Sequence, residues 1–486
     1  MARPTAIENV TLFDGRGDAC VRPATVVIAD GRISKVGPAS TTSVPPGSTV
    51  IDAAGKTALP GLIDMHVHLK PGVFSLFLAH GVTSVKDVGN QLDRVTAWRE
   101  AEQAGEFPSP RIHLCGPLLE GEPPVWPEIS RVVVDPATAR ATVDELAHAQ
   151  VDALKLYMRV TLDVMRPIIG RAHELGIPVT AHLGRVAASD AVAVGLDGIE
   201  HVVQGLYNDI VAPELRLDAD DRMRLGQSRF WAEFLKGWAE VEVDSGTVRR
   251  VIDLLLQNDV FIVCTLVAHG FKLGPRFLAD HVDLTHVPDA LTSGWVDLAA
   301  WFTETWSPHD FEVAAEALEK AKSFVAAFHD AGGRVLAGTD APFPYIVPGA
   351  SLHQELELLV NSGLTPAEAL RSATLHAADA LGRGDDLGTL QPGKFADLVI
   401  VDGDPVADIR AIKRIDTVFK DGHAFKRSDL VASAPRELEE GHPVARADAA
   451  AGWSHSPAPR IHELRQSRSS ARLQALRTLS AVKRRD

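Results

Sequence analysis

The chain has 486 residues, 45% of them hydrophobic, and a net charge of −15. That length allows one large α/β barrel of about 250 residues with appended units, while the acidic balance argues against nucleic acid, whose phosphates need a basic surface. No run of about 18 apolar residues offers a membrane span, the first residues lack the apolar centre of a signal peptide, and Cys20, Cys115 and Cys264 are too few and too scattered for a disulfide framework or a thiolate zinc site. A cytoplasmic protein that meets neither nucleic acid nor membrane is expected.

Residues 6 to 57 read as a small β unit, in which Asp30-Gly31 separates two apolar runs as a tight hairpin turn does. From residue 59 to 384, strand and helix signals alternate as a parallel barrel requires. Strands are expected at Leu62–His68, Val82–Asp87, Arg111–Cys115, Ala153–Tyr157, Val179–His182, Gly198–His201, Val260–Thr265 and Val335–Asp340, eight in all. His66 and His68, two apart on the first strand, face the same side and can grip one metal ion. Lys155, His182, His201 and Asp340 each stand at the carboxyl end of a short apolar run, the end at which a parallel barrel gathers its catalytic groups.

His201 to Asp340 is longer than two strand-helix units need, so insertions are expected at about 205–245 and 270–310. They hold five of the eight tryptophans, suited either to a lid over the barrel mouth or to packing extra helices on its outside. Further along, Asp397–Val401 and Ile415–Gly422 again have strand character. After Lys426, Pro, Ala, Ser and Arg dominate; residues 429–486 are read as linker and tail, with no sustained periodicity from Gly441 to Pro459. From Arg460 onward eight basic residues face two acidic ones, and Ala471–Leu479 has the pattern of a short basic helix.

The ordered set His66, His68, Lys155, His182, His201 and Asp340 resembles the amidohydrolase superfamily, in its two-metal branch bridged by a carboxylated lysine. Pro60–Asp64, Gly81–Asp87, Gly338–Pro342 and Leu390–Val399 extend the likeness over roughly residues 5 to 425, and Ser351–Leu356 and Leu364–Leu370 look most like the imidazolonepropionase-like and prolidase-like group. The resemblance implies a (β/α)8 TIM barrel at 59–384 and a composite β-sandwich built from residues 1–58 and 385–428. It implies two divalent ions, Zn2+ first among them, with His66, His68 and Asp340 on one and His182 and His201 on the other. A carbon dioxide-derived carbamate on Lys155 would bridge them.

On this reading a hydroxide shared by the ions attacks an amide, peptide or cyclic amide C–N bond of a small molecule, and Asp340 shuttles the proton. Tyr157, Arg159 and His269 are candidate substrate contacts. Deaminases of the superfamily lack the lysine and carry His-x-x-Glu after the fifth strand, whereas His182 is followed by Leu183-Gly184-Arg185. Lactonase or phosphotriesterase chemistry uses the same ligands and stays open, as does self-association into a homo-oligomer. An inactive scaffold is disfavoured because all six positions are intact.

Overall fold

The computed structural model describes residues 3–274, 278, 282, 284–439 and 442–450. Strands β1 (Thr5–Leu12), β2 (Val21–Ala29), β3 (Arg32–Pro38), β4 (Thr49–Asp52) and β5 (Lys56–Pro60) come first. The turn between β2 and β3 places Asp30 at φ 49° and Gly31 at φ 77°, the left-handed pair that matches strand twist in a tight hairpin.

Ten short strands follow: β6 (Leu62–Val67), β7 (Val82–Asp87), β8 (Arg111–Leu114), β9 (Leu118–Glu120), β10 (Ser130–Val132), β11 (Leu154–Leu156), β12 (Val179–Ala181), β13 (Gly198–Glu200), β14 (Phe261–Val263) and β15 (Val335–Leu336). All eight expected central strands are among them, each starting within a residue of its expected position. Their pairings are parallel, and burial on both faces explains why they read as continuous apolar runs. The third strand differs from expectation. Expected to end at Cys115, it resumes beyond a kink at Gly116, φ 73°, and Pro117, so that β8 is continued by β9. β8 pairs with β7 and β9 with β11, so this broken strand joins a three-stranded sheet to a seven-stranded one. On the far side, Met65 N donates to Ala337 O at 3.1 Å and His68 N to Ala341 O at 2.8 Å, linking β6 to the segment that begins with β15.

The last strands are β16 (Leu398–Asp402), β17 (Ile415–Lys420) and β18 (His423–Lys426). The order β18-β17-β16-β5-β1-β2-β3, with β4 beside β1, forms one eight-stranded sheet drawn from both parts of the chain. β16 runs antiparallel to β5 from Leu398 opposite Pro60 to Asp402 opposite Lys56. Ile7, Val26, Ile28, Ala58, Leu398, Ile400 and Phe419 form a core cluster within it.

Among the described residues, the expected insertions are largely helical. Gln227–Ala239 packs on Trp295–Thr303 and on the long helix Pro308–Asp330. Trp238 and Trp306 staple this layer, donating to Val203 O at 2.6 Å and Ser228 O at 2.9 Å.

The segment from 429 to 450 is not the linker its composition suggests. Arg427–Ser433 and Pro443–Ala450 are helices, Leu430 packs on Leu78 and Val418, and Trp98 Nε1 donates to Val444 O at 3.1 Å. Between them Glu437 is buried, accepting from the amides of Gly72, Phe74 and Ser75 at 3.0, 3.1 and 2.8 Å. Local composition carried no sign of these long-range contacts. The basic run from Arg460 and the expected helix Ala471–Leu479 lie outside the described residues. Among the described residues no helix is long and apolar enough to cross a membrane.

Candidate active site

Side chains at the carboxyl ends of β6, β12, β13 and β15 come together: His66 and His68, His182, His201 and Asp340. His201 and Asp340 sit at φ 63° and φ 67°, a left-handed conformation that costs a non-glycine residue on the order of 1–3 kcal/mol and persists where surrounding structure enforces it. Asp64 supplies part of that enforcement beside Asp340. Its buried carboxylate accepts from Thr339 N at 3.0 Å, Thr339 Oγ1 at 2.7 Å and His66 N at 3.2 Å, tying β6 to the loop after β15. Burial pushes Asp64 up to about 7. Gly338 has to be glycine for a steric reason: a Cβ there would lie 2.5 Å from Val263 Cγ1 and 2.9 Å from His66 Cβ.

His66, His201 and Asp340 offer ligand atoms all within 4.8 Å of one another. This closest trio straddles the two expected ion positions instead of falling in either. His68 Nε2 lies 3.4 Å and His66 Nε2 3.5 Å from Asp340 Oδ1. His182 flanks the group, its ring centroid 4.5 Å from that of His201.

The imidazoles are prepared as ligands from behind. His66 Nδ1 meets Glu200 Oε2 at 2.7 Å, His68 Nδ1 meets Gly89 O at 3.0 Å, and His201 Nδ1 meets Thr265 Oγ1 at 2.7 Å. Carboxylate and carbonyl only accept, so the proton of His66 and of His68 sits on Nδ1 and leaves Nε2 with its lone pair. Burial, aided by the Lys155 charge, brings His66 down to about 4 and His182 well below its ordinary value; burial and the neighbouring His66 do the same for His201. Burial opposes charge on His68, but Asp340 prevails and raises it. Burial likewise opposes the charge on Asp340, and the surrounding histidines overcome it and hold the carboxyl below the usual range.

Lys155 is 1% exposed, and among the described residues neither its Nζ nor His182 Nε2 has a hydrogen-bond partner. Burial brings the Lys155 amine down to about 8. The nearest carboxylate oxygen is Glu200 Oε1, 3.9 Å away. Glu200 also accepts from Lys86 Nζ at 3.0 Å and Thr180 Oγ1 at 2.7 Å. Sequence reasoning missed this Glu200–Lys86 pair, although charged residues inside fully buried strands are the signal that could have raised it.

Of the expected substrate contacts, Tyr157 lies against the site, its ring centroid 4.8 Å from that of His182. Its hydroxyl accepts from Trp126 Nε1 at 3.0 Å and so keeps its own proton to donate; burial pushes its pKa upward. Arg159 instead donates to Pro123 O on a more exposed loop. His269 is buried in the turn Leu266–Leu273 after β14, beside Lys272.

These groups fit a divalent ion: the imidazoles of His66, His182 and His201, which burial holds neutral, an ionised carboxylate, and two buried nitrogens without a hydrogen-bond partner among the described residues. The Amidohydrolase family profile matches residues 57–425. The imidazolonepropionase of Shouchella clausii is 36% identical over 412 residues, 76% of this chain and 77% of its own length. That of Haloarcula marismortui is 27% identical over 434 residues, 84% of this chain and 91% of its own. The structure of a bottromycin amidohydrolase, 22% identical, superposes with a TM-score of 0.70 over 94% of each chain. On the site just described and a family match running from β5 to β18, the chain belongs to the amidohydrolase family, in its imidazolonepropionase-like group, and is a hydrolase acting on C–N bonds.

Proposed function

We propose that the protein is a binuclear metal-dependent hydrolase that cleaves an amide, peptide or cyclic amide C–N bond of a small molecule. We read its parallel strands as a closed eight-stranded barrel at 59–384, with the sheet from 1–58 and 385–428 as a composite sandwich beside it. His66, His68 and Asp340 would hold one ion of the zinc class, His182 and His201 a second, and a carboxylated Lys155 would bridge them. When bound, the ions supply Lewis acidity and activate water at neutral pH.

The chain's own groups do the rest. Lys155 Nζ bonds the carbon of carbon dioxide and releases a proton, and its amine, brought down to about 8 by burial, is poised for that step. The resulting anion faces Glu200, and Lys86, 3.0 Å from Glu200, is the cation that offsets the added charge. Asp340 takes the proton of the attacking water and hands it to the departing nitrogen. Tyr157 donates to the developing oxyanion.

One observation carries this reading: Lys155 Nζ and His182 Nε2 are buried without a hydrogen-bond partner among the described residues, beside a trio of donors within 4.8 Å of one another. A second reading rests on the 3.9 Å separation of Lys155 and Glu200, which suits an uncarboxylated ammonium and a single ion on His66, His201 and Asp340. Metal analysis of chelator-free protein separates them. Close to two equivalents are expected, falling in Lys155→Ala together with activity, and short carboxylic acids should partly restore the variant. One equivalent with an unmodified Lys155 would overturn the bridged reading.

A further inference from the structure

The turn after β14 holds a cation whose position the chemistry above does not use. Lys272 is 4% exposed. Among the described residues its one polar partner is His269 Nδ1 at 3.4 Å, and no carboxylate pairs with it. Aromatic rings enclose it instead: Nζ lies 4.5 Å from the centroid of Phe271, 4.8 Å from Trp231 and 5.8 Å from Phe302. Phe343 completes the box, 5.6 Å from Phe302 and 6.0 Å from Phe271 between centroids. The box adjoins the reacting groups, since Phe343 N donates to Asp340 O at 3.0 Å, and the charge of Asp340 acts on Lys272 and on His269.

A buried ammonium without a counter-anion is costly, and ring faces offset only part of that cost. The described residues do not supply the missing charge, and the place where it is missing lies one packed ring, Phe343, from Asp340. A ligand anion would supply it. Burial brings Lys272 down to about 7, so an arriving anion would also secure its proton. Hydrocarbon rather than water surrounds the ammonium, which suits an anion carried next to an apolar group.

We propose that Lys272, with His269 beside it, receives a free carboxylate of the substrate, and that Trp231, Phe271, Phe302 and Phe343 hold the apolar group next to that carboxylate. The proposal rests on the barrel mouth being the hydrolytic site, and it narrows the substrate to an amide whose acyl or amino part carries a carboxylate flanked by hydrocarbon. Trp231 and Phe302 come from the two insertions, so those insertions set the specificity of the site.

The test uses probes with no bond to cleave, 3-phenylpropionate and 3-phenylpropan-1-ol, titrated into the metal-loaded protein by calorimetry and tryptophan fluorescence. The wild type should bind the acid at least tenfold more tightly than the alcohol. Lys272→Met should erase that preference while alcohol affinity and metal content hold. Should the methionine variant not fold, Lys272→Gln, which keeps a hydrogen bond to His269, takes its place with the same expected result. Trp231→Leu should weaken both probes alike. A variant at Lys272 that binds the acid as the wild type does, or a wild type without preference for the acid, overturns the proposal. Absence of turnover on any amide, with the acid preference present and dependent on Lys272, would count against the hydrolytic reading and not against this subsite.

Discussion

Replacing Glu200 with glutamine should cost the protein its grip on metal more than its fold suggests. One carboxylate oxygen accepts from His66 Nδ1 at 2.7 Å; the other accepts from Thr180 Oγ1 at 2.7 Å and Lys86 Nζ at 3.0 Å. A carboxylate meets all three as an acceptor. An amide cannot, because whichever way it turns, its NH2 faces either His66 or Lys86. Facing His66, it moves the imidazole proton to Nε2 and removes the lone pair a metal needs; facing Lys86, it opposes donor to donor. Loss of such a supporting partner lowers metal affinity by about 10–100-fold. A separate cost falls on stability, since Lys86 is 2% exposed and loses its counter-charge, a change worth roughly 3–5 kcal/mol. Chelator competition measures the first effect and denaturant unfolding of the metal-free protein the second. The double variant Glu200→Gln with Lys86→Met should recover much of the stability and none of the metal affinity. Wild-type zinc affinity in Glu200→Gln, or its return in the double variant, would refute the reasoning.

Three further outcomes follow from the same geometry. Asp340→Asn keeps an oxygen ligand but cannot accept a proton, so kcat should drop by about 10²–10⁴-fold across the pH range with at least one ion retained; near-normal kcat would remove Asp340 from that role. Gly338→Ala should cost roughly 1–3 kcal/mol and disable the site, because its Cβ drives against Val263 and His66; an active variant with an unchanged melting curve would contradict this. His80 is held down at about 4 by burial, with Arg427 and His286 near it and His353 packed on it. The unfolded chain binds a proton near pH 6.5 that the folded chain refuses, so stability is full above 6.5 and falls by about 3 kcal/mol on the way to pH 4. His80→Asn should flatten that slope in denaturant titrations, and an unaltered slope would show that other groups set it.

Much of this architecture was legible in the chain because parallel strands buried on both faces write themselves as short apolar runs, and one polar residue ends each run. His182, His201 and Asp340 were visible for that reason, and Asp30-Gly31 because φ above zero twice in succession favours that pair. What stayed hidden depends on which residues of distant strands meet. Glu200 and Lys86 touch over 114 positions, and Glu200 supports His66 over 134, separations that no local pattern encodes. The continuation β9 escaped because Gly116-Pro117 reads as the end of a strand, and three residues beyond it are too few to signal another. The helices after Lys426 escaped because their order comes from Glu437 and Trp98 contacts, not from their own propensity. Lys272 could have been noticed as a lysine among aromatic residues, but that no described carboxylate pairs with it is a property of three dimensions only.

The pairing of β5 with β16 has a consequence for synthesis. The two strands are joined by main-chain hydrogen bonds between residues about 340 positions apart, Pro60 against Leu398 and Lys56 against Asp402. At a ribosomal pace of about 5–20 residues per second, β5 waits roughly 20–70 s for its partner. During that wait the edge of β5 is bare, and bare edges recruit strands from other chains. The parallel strands β6 to β15 emerge in the meantime and can pair in order, whereas the sheet that β5 and β16 share can close only after the last of them has appeared. Misassembly of nascent chains, rather than instability of the finished molecule, is therefore the hazard this topology carries. Chaperone demand during expression should track the time between the two strands more than the melting point of the product.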